Sequence, residues 1–399
     1  MRVLLFSSWS INEGTARGTL FPLIEMMEKN QAIDRIYFCT VEPNDFKEAP
    51  IHLEKTVHIP LRSGVIPMVD KVWNLIRLPM LLKNIVQRNA IDLIWCKGAP
   101  AGGVGTFVHF LTGSPYVIDS FEPHSEYMVQ SGTWSEMNPK FLVQQWLEAL
   151  TLKHAPALLP VSQKYYALLV KRGIERERLF VFPCVINLQQ FAFNAHARKI
   201  KRNALHIKNT GIVGIYVGKY GGLYYDHEAF LLYRHLFRFF GSEFFLIIIT
   251  ESNPKKLQTK IEEHQLPADH CFISKASHRE IGDFLSAADF AISTIKSVPA
   301  MGYCSPIKHG EYWAADLPIL STLDVGDDAE IMRDEGGGVV LDVQDHEPDK
   351  KLAELKSMIG NRGSGLYSKF AFKYRHPSIM ADAIEFVLNK FVSKKEAAD

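Results

Sequence analysis

The feature that most constrains this chain is an alternation of short apolar segments with longer amphipathic stretches along nearly its whole length. In the first half we predict strands at 2–6, 36–40, 91–96, 116–119, 157–161 and 179–182. Several of them are apolar on both faces, which is typical of a parallel sheet covered by helices on each side. Predicted helices lie between them, at about 18–29, 70–88, 100–112, 139–153 and 163–172. The alternation indicates βαβ units and a doubly wound sheet.

The same pattern restarts in the second half of the chain. Strands are predicted there at 212–217, 244–249, 271–273, 290–293, 319–321 and 338–341. Residues 194–203 are polar and basic and lack periodic apolar positions, which favours a linker between the halves. We therefore expect an α/β protein with two Rossmann-like, doubly wound parallel-sheet domains that bind ligands at the carboxyl ends of their strands. The expected bounds are 1–194 for the first domain, 195–208 for the linker, 209–375 for the second domain and 376–399 for a C-terminal helix that returns toward the first.

Composition argues against several classes of function. The formal net charge of +1 argues against a nucleic-acid binder that depends on a broad basic field. The 5 cysteines are scattered without a CxxC pair, as expected for reduced thiols in the cytoplasm. No stretch approaches the roughly 20 apolar residues that are needed to span a bilayer. We therefore expect a soluble cytoplasmic protein, and a peripheral position at the inner face of the cytoplasmic membrane stays open.

The most informative segment is SPIKHGEYWAADLPIL, residues 305–320. Ser305 as the N-cap and Pro306 as the first helical residue predict a helix start. Lys308 and Glu311 are three positions apart and share one face of that helix. The free N–H groups and the positive end of the helix dipole suit a diphosphate, Lys308 adds a charge, and Glu311 suits a ribose diol. The alternative is a capped amphipathic helix whose Lys and Glu are only solvated.

This segment resembles the sPxKxxEYmAxGxPvi motif of bacterial group-1-type glycosyltransferases, the family 4-like type with the GT-B fold. DFLSAADFAIST, just upstream, is similar to the lxxaDvxixp stretch of the same family. ALLPVSQKYYALLVKRGIERERLFVFPCVINLQQF resembles the segment that closes the family's first domain, and GIYVGKYGGLYYD the strand and loop that open its second. All of these segments occur in the family's order. The resemblance implies two Rossmann-like domains that face each other across a cleft.

The resemblance also implies a nucleotide-sugar donor site in the second domain. Glu311 matches the second acid of the family's E-x7-E motif, a ribose-binding group, and Tyr303 stands where the first acid is expected. Lys219 stands where the family has an arginine that points at the donor diphosphate. A lysine supplies the positive charge but not the two parallel hydrogen bonds of a guanidinium. The helix start at Ser305 and Pro306 and the cation of Lys308 complete this site. The glycines expected to let the backbone approach the donor are Gly218, Gly221 and Gly222. The alternative for their loop is a glycine turn with a solvated lysine.

In the first domain, the family places acceptor-facing groups on loops that follow strands. The loop after the first strand is small and polar, and its expected acceptor-side residues are Ser10, Asn12, Glu13 and Gly14. The loop after the fourth strand supplies the candidate catalytic residues Asp119, Glu122 and His124. A carboxylate there, or an imidazole with an ordinary pKa of about 6.5, would accept the proton of the acceptor hydroxyl. The alternative is a turn whose acids cap the next helix.

Neither a metal nor a cofactor is expected, because the sequence has no HExxH, no DxD motif and no cluster of Cys and His. Residues 65–88 resemble the membrane-facing helix of transferases with lipid-linked acceptors. The alternative is a core helix broken at Pro79. The basic and aromatic residues that carry the membrane hypothesis are Lys71, Trp73, Arg77, Lys83 and Arg88.

These features together predict a metal-independent, retaining glycosyltransferase that moves a sugar from a nucleotide-sugar donor to a hydroxyl of a bacterial surface glycan or glycolipid precursor. The expected partners are the donor, a glycan or lipid-linked acceptor and the surface of an anionic membrane, with no nucleic acid. Two alternatives stay open, because a fold does not settle a function. One is a catalytically inactive binding subunit of the same fold, and the other is a sugar-nucleotide epimerase.

Overall fold

The computed structural model describes the backbone of residues 1–47, 53–62, 67–345, 348–360 and 362–396. Within these ranges, the side chains of residues 14, 15, 17, 67–75 and 392–396 lie outside the description. The chain divides into two compact units. Unit 1 consists of Met1–Val129, Trp134–Val185 and Pro377–Asp399, and unit 2 consists of Gln130–Thr133 and Ile186–His376.

Unit 1 is built on a six-stranded sheet in the order β3-β2-β1-β4-β5-β6, with every neighbouring pair parallel. The strands are β1 (Arg2–Ser7), β2 (Arg35–Glu42), β3 (Thr56–Arg62), β4 (Leu93–Lys97), β5 (Tyr116–Phe121) and β6 (Ala157–Pro160). Central β1 is buried from its second residue onward and pairs Leu4 with Tyr37 and with Ile94. Such burial on both faces explains why the strand is apolar throughout.

The five predicted helices of unit 1 are present, and α4, which was not predicted, joins them. They are α1 (Gly14–Lys29), α2 (Pro67–Arg88), α3 (Ala99–Thr112), α4 (His124–Gln130), α5 (Pro139–His154) and α6 (Gln163–Lys171). Helix α3 is rich in glycine because it packs directly on the sheet. A Cβ at Gly105 would lie 2.3 Å from Sγ of Cys96, so a larger residue there would push the helix off β4.

Three predictions for unit 1 are wrong in detail. Edge strand β3 was missing from the prediction, and it contains Pro60, a residue that sheets accept at their edges. Residues 179–182 form no strand and make one isolated bridge, from Leu158 to Leu179. Leu179 and Phe182 are buried, so their apolar character reflects the covering of the core rather than sheet pairing. Helix α2 runs unbroken through Pro79, where a break was predicted as one alternative.

Unit 2 repeats the design with a six-stranded sheet in the order β12-β11-β10-β7-β8-β9, again with parallel pairs. The strands are β7 (Ile212–Val217), β8 (Phe244–Ile249), β9 (Cys271–Ser274), β10 (Phe290–Ser293), β11 (Ile319–Thr322) and β12 (Gly338–Leu341). The helices are α7 (Leu188–Phe191), α8 (Ala195–Ala204), α9 (His227–Phe240), α10 (Pro254–Glu263), α11 (Ile281–Ala287), α12 (Ile307–Ala314), α13 (Asp328–Glu335), α14 (Asp349–Met358) and α15 (Ser368–Tyr374). All of these strands end at the same edge, which is where ligands of such sheets bind.

The predicted linker at 195–208 is wrong, because helix α8 occupies most of it. Asn194 caps that helix by accepting hydrogen bonds from the N–H groups of His196 and Ala197. Arg198 and Arg202 both bind the carboxylate of Asp289, at 2.6 and 3.2 Å. Two of the basic residues that indicated a solvated linker are therefore ion-paired inside unit 2, and the boundary between the units here lies at residues 185 and 186.

Helix α16 (Ser378–Glu396) follows unit 2 in the sequence and belongs to unit 1. Its buried residues share one core cluster with β1 and α1. Their spacing of three and four residues is that of an amphipathic helix, and they are Met380, Ala383, Ile384, Val387 and Leu388. The C-terminal helix therefore completes the core of unit 1. Among the helices that the structure describes, none is long and apolar enough to cross a bilayer.

Candidate functional site

In unit 2, two of the predicted donor-binding segments meet at the carboxyl ends of neighbouring strands. Gly218 directly follows β7, and its N–H donates to the carbonyl of Ile249 at 3.0 Å. Lys308 lies on α12, which follows β10, the neighbour of β7 in the sheet. A Cβ at Gly218 would lie 2.8 Å from Nζ of Lys308, so the glycine lets the backbone pass close to the ammonium. The loop that begins at Gly218 and the first turn of α12 therefore lie next to each other.

Helix α12 begins at Ile307, with Pro306 as its N-cap and no side-chain cap. The prediction that Ser305 is the N-cap and Pro306 the first helical residue is wrong by one position. Pro306 has a ψ of 120°, far from the helical value, so the helix cannot include it. Ser305 is buried just before this turn. The N–H groups of the first turn still form the end of the helix that attracts anions.

Lys308 is the most unusual side chain at this edge. It is only 8 % exposed, and its Nζ has no hydrogen-bond partner among the described residues. Nζ lies 4.1 Å from the ring centroid of Tyr224 and 5.4 Å from that of Tyr216, within cation–π range. Burial lowers the pKa of Lys308 to about 7, and the nearby Glu311 only partly opposes this shift. A buried ammonium with no acceptor is costly unless an anion arrives to pair with it.

Glu311 lies one turn further along α12 and is held by a histidine. It is 5 % exposed, and its Oε1 lies 3.3 Å from Nε2 of His278. The amide nitrogen of Gln190 donates to the His278 carbonyl and to Nδ1, each at 2.9 Å. Since Nδ1 accepts, Nε2 carries the proton and donates to Glu311. One carboxylate oxygen is thereby fixed, and none of the described residues donates a hydrogen bond to the other.

The remaining predicted donor-side residues have different surroundings. The Lys219 side chain is exposed, and its carbonyl accepts a hydrogen bond from the Tyr216 hydroxyl. Gly221 and Gly222 have φ values of +78° and +61°, which residues with side chains adopt rarely. Tyr303 closes a short 3-10 turn and is half-buried. Contacts of Lys219 and Tyr303 with a donor stay predictions.

A buried network fixes the helix that carries Lys308 and Glu311. His309 is fully buried, with Nδ1 2.9 Å from Oδ2 of Asp328 and Nε2 2.7 Å from Oγ of Ser293. Burial lowers the pKa of His309. Burial alone would raise the pKa of Asp328, but Arg375 and His309 outweigh it and keep the pKa low. The network ties α12 to β10, α13 and the residue that follows α15, so Lys308 and Glu311 project from a helix that is held on several sides.

In unit 1, the loop after β1 is anchored by a carboxylate that the sequence analysis missed. Glu42 is fully buried at the end of β2, and its Oε1 accepts from the Ile11 N–H at 2.8 Å and from the Thr40 hydroxyl at 2.6 Å. Its Oε2 accepts from the hydroxyl of Ser10. The predicted acceptor-side hydroxyl of Ser10 is therefore engaged in holding the loop. The other predicted residues of this loop are Asn12 and Glu13, which are exposed, and Gly14, which opens α1.

Asp119, one of the three predicted catalytic residues, lies in the core rather than on the surface of its loop. It is fully buried, and its Oδ2 accepts from Nζ of Lys97 at 2.8 Å and from Nε1 of Trp95 at 3.3 Å. Lys97 itself is 4 % exposed. This placement argues against Asp119 as a base, since its charge is already paired inside unit 1.

The other two predicted catalytic residues are connected through a tyrosine. Tyr127 donates its hydroxyl proton to Oε1 of Glu122 at 2.8 Å, and the same hydroxyl contacts Nδ1 of His124. Burial lowers the pKa of His124 to about 4, so the imidazole is neutral at physiological pH. Among the residues that the structure describes, no group of three or more His, Cys, Asp or Glu is placed to hold a metal ion.

Comparisons with known proteins agree with this architecture. Residues 43–184 match the family model of the glycosyl transferase 4-like domain. The fold is similar to that of sucrose-phosphate synthase from Thermosynechococcus elongatus, with a TM-score of 0.74, 16 % identity and 100 % of both chains covered. The chain is a glycosyltransferase of the GT-B fold.

Two further solved structures resemble this glycosyltransferase along nearly its whole length. Anabaena HepE, solved with UDP-glucose, has a TM-score of 0.69 at 12 % identity, and 98 % of this chain and 99 % of HepE are covered. UDP-GlcNAc 2-epimerase from Neisseria meningitidis, solved with UDP-GlcNAc, has a TM-score of 0.62 at 12 % identity, covering 98 % of this chain and 100 % of the epimerase. At such identities the likeness concerns the fold alone. No curated protein sequence matches the glycosyltransferase significantly.

Proposed function

We propose that this glycosyltransferase takes a sugar from a nucleotide-sugar donor whose diphosphate and ribose bind at the carboxyl edge of the unit 2 sheet. The observation that carries the proposal is the buried Nζ of Lys308, which has no hydrogen-bond partner among the described residues. A diphosphate placed there would accept from that ammonium and from the first-turn N–H groups of α12. The oxygen of Glu311 that His278 leaves unbound would accept from the ribose hydroxyls.

This arrangement suits the chemistry of glycosyl transfer. As the bond from sugar to diphosphate breaks, negative charge grows on the departing phosphate oxygens. Preorganised donors aimed at that charge are the largest source of rate in many enzymes. Lys308 and the start of α12 supply such donors, so we propose transfer without a metal ion. The E-x7-E resemblance supports retention of configuration. We propose that the acceptor, which supplies the attacking hydroxyl, binds to unit 1.

The donor that we propose to test first is a UDP-sugar, because HepE and the epimerase were solved with UDP-glucose and UDP-GlcNAc. Calorimetry should show UDP binding to the full chain. Lys308→Met should weaken it by about 10- to 100-fold, the range for a lost hydrogen bond to a charged group. The matched control is Lys255→Met on α10, an exposed lysine of the same unit. If no nucleoside diphosphate binds, or if both substitutions weaken binding equally, the proposal fails.

An epimerase is the second candidate, favoured by the likeness to UDP-GlcNAc 2-epimerase. The two activities separate cleanly in a test without acceptor. An epimerase converts UDP-GlcNAc alone into its isomer, whereas a transferase needs a hydroxyl acceptor for full turnover. An inactive binding subunit would bind a donor and turn over none.

For the acceptor we propose a surface glycan or glycolipid precursor, reached at an anionic membrane. Helices α2, α3 and α5 border a groove of about 320 Å³ lined by apolar residues, in which Ile76, Phe110 and Trp146 are at least half exposed. Among the described side chains of these three helices, the only carboxylate is the buried Glu148. The basic residues on α2 and α5 include Lys83, Arg88, Lys140 and Lys153. An apolar face with basic neighbours is typical of proteins that lie on anionic lipid.

Part of the predicted membrane-facing helix at 65–88 cannot contribute to this argument. Residues 65 and 66 and the side chains of Lys71 and Trp73 lie outside the described residues.

Vesicle sedimentation tests the apolar surface of α2, α3 and α5 directly. The protein should bind vesicles of phosphatidylglycerol and not of phosphatidylcholine, and Phe110→Ser with Trp146→Ser should abolish binding. Phe372→Ser, an exposed phenylalanine of unit 2, is the control.

A further inference from the structure

The backbone that carries His124 is held in an unusual conformation. Strand β5 loses its register with β6 between Ile118 and Phe121, and Ser120 has a φ of +53°. Such a left-handed serine is uncommon, and strain of this kind persists where the surrounding structure enforces it. The irregularity redirects the chain at the end of β5, just before α4 begins at His124.

A carboxylate from another helix fixes the start of α4. Glu148 on α5 is buried and accepts from the N–H of Ser125 at 2.9 Å and from its hydroxyl at 2.7 Å. Gln144 donates to the same carboxylate at 2.9 Å. Burial raises the pKa of Glu148 to about 7, while these hydrogen bonds lower it. The backbone next to His124 is therefore held from outside its own loop.

The hydrogen bonds of Tyr127 determine which nitrogen of His124 carries the proton. A carboxylate only accepts, so the Tyr127 hydroxyl must donate its proton to Glu122. That hydroxyl can then only accept from Nδ1 of His124. The neutral imidazole consequently has its proton on Nδ1 and a lone pair on Nε2. Burial favours the neutral form, and the ring of Trp134 packs edge-on at 5.6 Å between centroids.

We propose that Glu122 and Tyr127 are positioning residues that lock His124 in the Nδ1–H tautomer, so that its Nε2 accepts a hydrogen bond from a sugar hydroxyl. His124 makes no hydrogen bond through Nε2 to any residue that the structure describes. The inference rests on the proposed function, since it names a sugar as the ligand. That hydroxyl belongs either to the sugar of the donor or to the acceptor, and the chemistry at Nε2 is the same.

The tautomer can be measured without any substrate. Nitrogen-15 shifts of histidine-labelled full chain distinguish Nδ1–H from Nε2–H, and His124→Gln identifies the signals of residue 124. We expect Nδ1–H in the wild type and a loss of that preference in Tyr127→Phe. The matched control is Tyr166→Phe on α6, which should leave the His124 signals unchanged. A wild-type His124 in the Nε2–H form would overturn the proposal whatever the enzyme's substrate proves to be.

Kinetics test whether the tautomer matters. Tyr127→Phe should lower kcat by about 5- to 10-fold, the effect of one hydrogen bond, and leave the affinity for UDP unchanged. His124→Gln, whose amide oxygen is placed to replace the Nε2 lone pair, should keep more activity than His124→Asn. Equal activity in the wild type and Tyr127→Phe would overturn the role. If the wild type does not bind UDP, the proposed function itself fails.

Two arms identify the source of the hydroxyl. If it belongs to the donor sugar, Tyr127→Phe weakens binding of the UDP-sugar relative to UDP by about 5-fold. If it belongs to the acceptor, that ratio stays at its wild-type value and the KM for the acceptor rises. Either outcome supports the role of Nε2 as a hydrogen-bond acceptor. If Tyr127→Phe changes neither the binding ratio nor the KM for the glycosyl acceptor, that role is contradicted.

Discussion

Among the residues that the structure describes, each unit buries one lysine near the carboxyl edge of its sheet, and the two lysines have opposite surroundings. Lys97, at the end of β4, is 4 % exposed and bonds to the carboxylate of Asp119 at 2.8 Å. Lys308, on α12, is 8 % exposed and has no hydrogen-bond partner among the described residues. The first charge is satisfied by the fold, and we propose that the second is left for a ligand. On that proposal, the presence of a partner, rather than burial, separates a structural lysine from a binding one.

The largest effect is expected at Lys97. Lys97→Met leaves Asp119 as a buried charge without its partner, so the free energy of unfolding should fall by about 3–5 kcal/mol. Urea denaturation of the full chain measures this. Asp119→Asn should restore part of the loss when it is added to Lys97→Met, because the two sites are directly coupled. A loss below about 1 kcal/mol would mean that the Lys97–Asp119 ion pair contributes no more to stability than an exposed pair does.

Lys308→Met should act in the opposite direction on stability. The substitution keeps the length of the side chain and removes a buried donor that no described residue satisfies. The free energy of unfolding should therefore rise by about 1–3 kcal/mol while nucleotide binding weakens. The same urea titration applies. If the variant is less stable than the wild type, the ammonium has a structural role and the contrast with Lys97 disappears.

The pattern of the sequence predicted every described strand of the two sheets except β3, because buried parallel strands are apolar on both faces and alternate with helices. It failed where an apolar or basic stretch had another cause. Leu179 and Phe182 are apolar because they cover the core, and two of the basic residues within 195–208, Arg198 and Arg202, bind Asp289. Both errors come from tertiary contacts that a local pattern does not encode.

The same distinction holds at the proposed donor site. Lys308 and Glu311 could be found because they lie three positions apart on one helix. His278 and Gln190, which hold Glu311, come from distant segments that the fold brings together. Glu42 was missed for the same reason. A polar residue at the end of an apolar strand is the one signal that could have found it.

A third effect concerns pH. Burial lowers the pKa of Lys308 to about 7, so above pH 7 the free protein holds a neutral amine there. A diphosphate favours the ammonium, and binding must then take up a proton. The Kd for UDP should rise by up to about tenfold per pH unit between pH 7.5 and 9, since one unit corresponds to about 1.4 kcal/mol. Calorimetry should show a flat profile for Lys308→Met. An equally flat wild-type profile would exclude this proton uptake.

His278 should matter less, because it acts on the ligand only through Glu311. Loss of its hydrogen bond to the Oε1 of Glu311 should weaken UDP binding by about 5-fold in His278→Ala. Binding of inorganic pyrophosphate should not change, since that ligand has no ribose. His196→Ala, an exposed histidine of α8, serves as the control. A parallel loss of pyrophosphate affinity would assign His278 to the phosphates and not to Glu311.

The smallest effect is expected at Lys219, which differs from Lys308 in being exposed. An exposed charge contributes about 0.2–1 kcal/mol, so Lys219→Ala should weaken UDP binding by no more than about 5-fold. Salt separates the two lysines, because screening acts on exposed charges far more than on buried ones. Between about 0.1 and 1 M NaCl the effect of Lys219→Ala should vanish, while that of Lys308→Met should persist. If the Lys219 effect persisted at high salt, its side chain would have to become buried against the bound diphosphate, and the contrast would then belong to the free protein alone.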